Sequence, residues 1–477
     1  MNTSKAILWD FGGNVLHYFL SFFLSIILAR LLMPSDFALI GMVMAIISVS
    51  NVFVDVGLGN ALIQAKNVED VHYSSIFWIN FLISLILLCL LYYFSTDIAN
   101  YYDSGYDGLE ELIRVLSFTF PILGFSGIYR NILKKNIQFK TLAKINISSS
   151  FLSSIIAIFF ALNDYGVWSL VIQTYVFNFS GLCLLIYITK WYPKLIFKFN
   201  KIKSMWDFGK KIFAVALIDS IYQKLDIFVI GKIYSPSILG FYSRAKSLDS
   251  LIGNFTSNSL SSVLFSVLSK NQDSKVATKE IVIKFFNITS YISIFLGGLL
   301  YVTSTDLVKL MFGFKWLDTV PIFKIMVLTT FFLPLNSILI SAIKGLGKST
   351  LLLRLEMLGK LIIIPVYVIG FKFGLVQFLY GLILHKIIVI AINLYHVDKL
   401  QVGNLYSQII IIVKHLTISF TCVLLILLLQ DLYSLKSFLN LLLSGVMYSI
   451  IFLVLSLIFK VDQFKIIYNI SRKILKL

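Results

Sequence analysis

The sequence predicts an all-α integral membrane protein of about 14 transmembrane helices. Three observations lead there. Hydrophobic residues make up 58% of the 477 and charged residues only 13%, with mean hydropathy +0.90; an ordinary soluble domain is roughly 25% charged. The apolar residues fall in long runs and not in alternating ten-residue segments, which selects helices over barrel strands. Two stretches about 200 positions apart also echo one another, which divides the helices into two similar lobes.

The echo organises the chain. Ala29-Arg30-Leu31-Leu32-Met33-Pro34-Ser35-Asp36-Phe37-Ala38-Leu39-Ile40 joins the first two apolar runs. Gly231-Lys232-Ile233-Tyr234-Ser235-Pro236-Ser237-Ile238-Leu239-Gly240-Phe241-Tyr242 repeats its pattern of small, basic, apolar, proline and serine positions. Further on, Ser95-Thr96-Asp97-Ile98 returns as Ser304-Thr305-Asp306-Leu307 at a slightly larger offset. Since about twenty apolar residues cross a bilayer core, spans are expected near 9–32, 37–62, 75–94, 112–133, 144–163 and 166–189. Six more are expected near 209–231, 237–263, 284–304, 321–343, 350–371 and 375–396, and a last pair near 409–430 and 437–459. Six spans per copy return the chain to the same side, so the copies are parallel repeats. The expected organisation is an N-terminal lobe 1–200, a C-terminal lobe 201–400, and two additional spans with a basic tail in 401–477. The first span lacks a small-residue cleavage site before a polar segment and reads as a retained helix.

Charge gives the orientation. The formal net charge is +18, but its distribution is topological. About 28 of the 41 Lys and Arg fall in loops on one side or in the tail, among them Arg130, Lys134, Lys135, Lys194, Lys198, Lys275, Lys465, Arg472, Lys473 and Lys476. The opposite loops hold Asp97, Asp103, Asp107, Glu110 and Glu111. That bias predicts both termini in the cytoplasm and attraction to anionic membrane lipid, not to nucleic acid. The longest loop, between spans 6 and 7, sets Trp191, Phe197, Phe199 and Trp206 among lysines and reads as a helix lying in the membrane interface.

Ionisable residues inside spans carry the functional signal, because a charge in lipid is costly. Span 7 carries Asp219, Lys224 and Asp226; span 8 carries Arg244, Lys246 and Asp249; spans 1 and 2 contribute His17, Arg30 and Asp55. As a group these are expected to line a wet cavity between the lobes; singly, each is equally compatible with an ion pair or a snorkelling side chain. Lys246 and Asp249, three apart, are placed to pair. His17 and His385 read as packed histidines, with a proton relay as the alternative. Pro121, Pro334 and Pro365 lie within spans and should kink them. Ala342-Ile343-Lys344-Gly345-Leu346-Gly347-Lys348-Ser349-Thr350 nearly spells a phosphate-binding loop, but its flanks are membrane helices, so it reads as a short turn. Cys89, Cys183 and Cys422 lie in apolar runs and form no CxxC pair. No loop assembles a nucleophile–base set or a metal cluster, so an enzyme is not expected.

Several motifs together resemble the polysaccharide transporters of the MATE-like (MOP) flippase superfamily. They are Leu28-Ala29-Arg30-Leu31-Leu32-Met33-Pro34-Ser35-Asp36-Phe37, Val54-Asp55-Val56-Gly57-Leu58-Gly59-Asn60-Ala61, Phe77-Trp78-Ile79-Asn80 and Gly166-Val167-Trp168-Ser169-Leu170-Val171. Asp226-Ile227-Phe228-Val229-Ile230-Gly231-Lys232, Leu239-Gly240-Phe241-Tyr242-Ser243-Arg244-Ala245 and Gly313-Phe314-Lys315-Trp316 continue the series. Ala38, where Gly is expected by analogy with Gly240, is the one departure.

The resemblance is to the Wzx-type branch. It implies two six-helix bundles and movement of undecaprenyl-diphosphate-linked oligosaccharides, such as O-antigen, capsule or exopolysaccharide units, across the bacterial inner membrane by alternating access. On that reading the diphosphate calls for cationic ligands, namely Arg30, Lys224, Arg244 and Lys246. Asp55, Asp219 and Asp226 would balance those charges or hold a coupling ion, Na+ or H+. No other cofactor is implied. Partners would be the lipid-linked substrate, membrane lipids and polysaccharide polymerase or assembly proteins. A MATE-type exporter of cationic drugs and a lipid II flippase remain as alternatives.

Overall fold

The computed structural model describes residues 3–65, 67–102, 106–270, 275–430 and 436–461. Lys465, Arg472, Lys473, Lys476 and Asp103 lie outside the described residues, as does the side chain of His17. The chain divides into two compact units, Met1–Gly240 and Phe241–Leu477.

In the first unit the helices are α1 (Thr3–Leu31), α2 (Pro34–Asp55), α3 (Leu58–Gln64), α4 (Asp70–Tyr93), α5 (Ser95–Tyr102) and α6 (Leu109–Ser117). After these come α7 (Thr119–Lys135), α8 (Phe139–Leu162), α9 (Trp168–Thr189) and α10 (Phe199–Ile233). Pro34 opens α2, where its missing N–H costs nothing, and the Asp36 carboxylate accepts the Met33 backbone N–H at 2.8 Å. Leu58, Leu62, Phe77, Ile128, Leu133, Leu185 and Ile202 form the unit's core.

The second unit takes most of α11 (Pro236–Lys270), then α12 (Lys275–Phe312), α13 (Thr319–Val327), α14 (Phe332–Gly345) and α15 (Ser349–Ile362). It ends with α16 (Ile364–Phe373), α17 (Leu375–Lys399), α18 (Leu405–Gln430) and α19 (Ser437–Ile458). Leu335, Ile338, Ile343, Ile390 and Leu394 form one core. Tyr291, Cys422, Tyr448 and Phe452 form another, which fixes the last helix pair to α12. Asn440 of α19 donates to Asp306 at 2.6 Å, and Tyr291 donates to Ser456 at 3.1 Å.

Helix stands at every expected span. Among the described residues, ten helices or helix pairs are long and apolar enough to cross a membrane by length and composition, and Tyr18–Leu31 is a shorter apolar helix. The expected fourteen therefore exceeds what apolarity alone supports. The charges of α10, from Lys201 to Lys232, and those of α15 and α16, Arg354, Glu356, Lys360 and Lys372, account for two of the shortfalls. Outward faces carry exposed large apolar side chains such as Leu82, Phe159, Phe179, Phe420 and Ile450, the reverse of a water-soluble surface. The chain is an all-helical, multi-pass membrane protein.

Each of the three prolines within spans follows a helix break. Pro121 follows the break at Phe118, Pro334 the break at 328–331, and Pro365 the break at Ile363. A proline lacks the N–H that would reach the carbonyl four residues back, and its ring crowds that carbonyl, so the ladder fails on its N-terminal side. The glycine-lysine stretch is a turn: α14 ends at Gly345, Gly347 takes φ +68°, and α15 starts at Ser349.

The linker between α9 and α10 differs from expectation. Residues 190–198 are not a helix on the membrane surface but a strap across α4. The Ser74 and Ser75 hydroxyls accept the Lys194 and Lys198 backbone N–H groups at 3.1 Å each, and Trp78 donates to the Lys194 carbonyl at 2.9 Å. Trp191 packs edge-on to Tyr73, Phe77 and Tyr129. Phe199 and Trp206 belong to the first turns of α10. The serines of α4 give the linker backbone its partners, which an interfacial helix would have found within itself.

Candidate functional site

In the first unit the expected residues stand on three elements. Arg30 is exposed in the last turn of α1, where a cation opposes the negative end of the helix dipole. Asp55 ends α2. Its Oδ1 accepts the Gly59 N–H at 3.0 Å, so it closes the N-terminal turn of α3. Asn80 and Asn131 face the same carboxylate. Lys135 serves the other end of α3: its ammonium donates to the carbonyls of Leu62, at 3.0 Å, Ile63 and Ala65. The seven-residue α3 thus has an acid at its start and a base at its end. Asp219 and Lys224 are half-buried on α10, and Asp226 is buried there, accepting the Ile227 N–H at 2.9 Å.

A pocket of about 420 Å³ opens inside this unit, lined by α1, α2, α7, α8 and α9. Its polar lining is hydroxyl and carboxamide, with Ser21, Asn51, Thr119, Gln173, Thr174 and Asn178 among it, and no charged side chain among the described residues lines it. None of the expected site residues lines it.

In the second unit Arg244 is buried, with its guanidinium 5.6 Å from the Phe312 ring and 5.5 Å from the Trp316 ring. Lys246 is half-buried. Asp249 accepts the Thr330 hydroxyl. A second cavity, about 620 Å³, lies along α12, α13 and α18. Its walls are mostly apolar, with Val327, Leu328, Phe331, Leu416, Phe420 and Leu424 among them over the backbone of Gly297 and Gly298, and with Tyr301, Ser419 and Gln430 as the polar part.

Sequence reasoning missed several polar residues. Lys386 on α17 donates to Thr329 at 2.7 Å. His415 on α18 shares a hydrogen bond of 3.0 Å with Ser290. Arg130, taken for a loop cation, lies within α7 and donates to Asn146 of α8 at 3.0 Å. His385, by contrast, is the packed histidine the sequence suggests: it is buried, and its Nε2 donates to the Gly359 carbonyl at 2.8 Å. A single lysine or arginine within a long apolar run was the available signal for Lys386 and Arg130.

Residues 27–321 match the family model described as "Polysaccharide biosynthesis protein". The chain belongs to this family. It is 28% identical over 283 residues to the teichuronic acid biosynthesis protein TuaB of Bacillus subtilis (strain 168), covering 58% of this chain and 57% of that one. Against the lipopolysaccharide biosynthesis protein WzxC of Escherichia coli (strain K12) it is 23% identical, covering 81% of this chain and 78% of that one. Among solved structures, the lipid II flippase MurJ in an inward closed conformation superposes with TM-score 0.78 at 19% identity, covering 96% of this chain and 99% of that one. At that identity the likeness establishes the fold alone.

Proposed function

We propose that this family member is a flippase for undecaprenyl-diphosphate-linked oligosaccharides in the bacterial inner membrane, working by alternating access with both termini in the cytoplasm. The observation that carries the reading is the pair of linings. Such a substrate joins a neutral polyhydroxyl glycan to a long isoprenoid through a diphosphate. The hydroxyl- and carboxamide-lined pocket of the first unit has the chemistry of a sugar site. The apolar groove of the second unit has the chemistry of an isoprenoid site. A transporter of cationic drugs would want carboxylates around its pocket, and among the described residues none lines this one.

Arg30, Lys224, Arg244 and Lys246 are the proposed partners of the diphosphate, with Asp55, Asp219 and Asp226 balancing charge or holding a coupling ion. Arg244 serves as a positioned cation only if the Phe312 and Trp316 rings release it. No bond is made or broken in this reading; the chain is a transporter and not an enzyme. The names of WzxC and TuaB support a glycan substrate, and that of MurJ supports a lipid-linked one.

The test is reconstitution. Purified protein in liposomes should move fluorescent undecaprenyl-diphosphate oligosaccharide to the opposite leaflet, with no efflux of cationic dyes. Transport of lipid II alone would move the assignment to cell-wall precursors. Dye efflux without lipid movement would end it.

A further inference from the structure

The break between α13 and α14 assembles oxygen atoms inside the membrane. Residues 328–331 leave the helix, and Pro334 cannot offer an N–H to the Thr330 carbonyl. Thr329 and Thr330 are buried at this break. The Thr330 hydroxyl donates to Asp249 of α11, and the Thr329 hydroxyl donates to the Met326 carbonyl at 2.7 Å. One carboxylate and two hydroxyls gathered at a helix break are the kind of oxygen set that takes a monovalent metal ion in a membrane protein.

The position already has a cation. Lys386 of α17 brings its ammonium to the Thr329 oxygen, 2.7 Å away. The ammonium is a compact charge on a flexible stem and needs oxygen acceptors. Among the described residues, Asp249 and Lys246 are charged groups whose fields reach it. Asp249 attracts it and Lys246, three residues earlier on α11, repels it. Lysine and carboxylate therefore each hold one hydroxyl of the adjacent Thr329-Thr330 pair.

We propose that Lys386 is a tethered cation: its ammonium fills a sodium-type position at the break of α13 and α14, so the unaltered protein holds no exchangeable sodium there. A metal ion can leave with each cycle; a side chain cannot. The charge balance of this half is then independent of sodium, and removing the ammonium opens a sodium site. This does not depend on what the protein transports.

The test is thermal unfolding of the purified full-length protein in detergent, in NaCl series balanced by choline chloride to constant ionic strength. The unaltered protein and Lys386→Arg should give the same midpoint in both salts. Lys386→Ala should unfold earlier in choline and recover by a few degrees as sodium rises, saturably, because a ligand that binds only the folded state stabilises it. Adding Asp249→Asn to Lys386→Ala should abolish the recovery. Lys386→Gln, which keeps most of the stem, is measured the same way. A sodium-specific rise in the unaltered protein overturns the proposal. So does a flat response, or no folded protein in either salt, from both Lys386→Ala and Lys386→Gln.

Discussion

Gly57 and Gly209 meet backbone to backbone. A Cβ on Gly57 would fall against the Gly209 carbonyl and within 3.1 Å of the Gly209 Cα; one on Gly209 would stand 2.9 Å from the Val56 carbonyl oxygen. Gly57 also has φ +72°, beside Val56 at φ +45°, a backbone state that a β-branched residue rarely adopts. The break between α2 and α3 is thus strained and held in place by the closeness of α10.

Gly57→Ala should destabilise the protein more than Gly209→Ala. The first adds both a strained φ and an overlap with backbone that cannot move aside; the second adds the overlap alone. An overlap of this kind costs about 1–3 kcal/mol, and the left-handed φ adds about 1 kcal/mol more for a non-glycine residue. Midpoints of thermal unfolding in detergent check the order. Equal midpoints for the two variants would mean that the left-handed turn carries no strain.

The bilayer made much of the fold readable. Long apolar runs announce helices in lipid because no other secondary structure satisfies its own backbone there, and the prolines announced the breaks before Pro121, Pro334 and Pro365. The break at Val56-Gly57 left a fainter trace, because Gly57 reads as one more small residue until its φ and its neighbour are known. The candidate site was harder to read. Asp55 was picked out as an intramembrane acid, but nothing in its spacing says that its partner is the Gly59 N–H. Lys386 and Thr329 meet across 57 positions, and no local pattern links them. Arg244 was singled out for its charge, while its burial against Phe312 and Trp316 depends on residues far along the chain.

Lys135→Met should loosen α3 selectively. Methionine keeps the apolar stem but leaves the Leu62, Ile63 and Ala65 carbonyls without their donor. Losing hydrogen bonds from a charged group costs about 1.5–3 kcal/mol. Amide exchange across Leu58–Gln64 should speed up by roughly tenfold or more, since 1.4 kcal/mol is a factor of ten. Exchange in α12 to α19 should not change. Unaltered exchange in α3 would show that water serves these carbonyls as well as the ammonium does.

Lys224→Ala and Arg244→Lys should separate charge from packing. Lys224→Ala should still insert in the membrane while glycolipid movement in liposomes falls at least tenfold. Arg244→Lys keeps the charge but loses the flat guanidinium that lies over two rings. Such contacts contribute about 0.5–2 kcal/mol. This variant should unfold earlier and still insert in the membrane. Full transport by both variants would remove these residues from the headgroup assignment.

Gly298 is where packing and substrate choice meet. A Cβ there would overlap the Tyr448 hydroxyl and the Ser419 hydroxyl, which hydrogen-bond each other at 2.9 Å. Gly298 also floors the apolar groove along α12, α13 and α18. In Gly298→Ala the Tyr448 ring must shift, the buried hydroxyl pair separates, and α19 loosens on α12, at a cost of about 1–3 kcal/mol. Tyr448→Phe removes the hydroxyl that the new methyl meets, so the double variant should recover part of the loss, a coupling that a double-mutant cycle measures. If the groove holds an isoprenoid, Gly298→Ala should slow transport of an undecaprenyl-linked sugar more than that of a short-chain analogue, whose tail does not fill the groove. Equal slowing of both would leave Gly298 a packing residue and take the isoprenoid out of the groove.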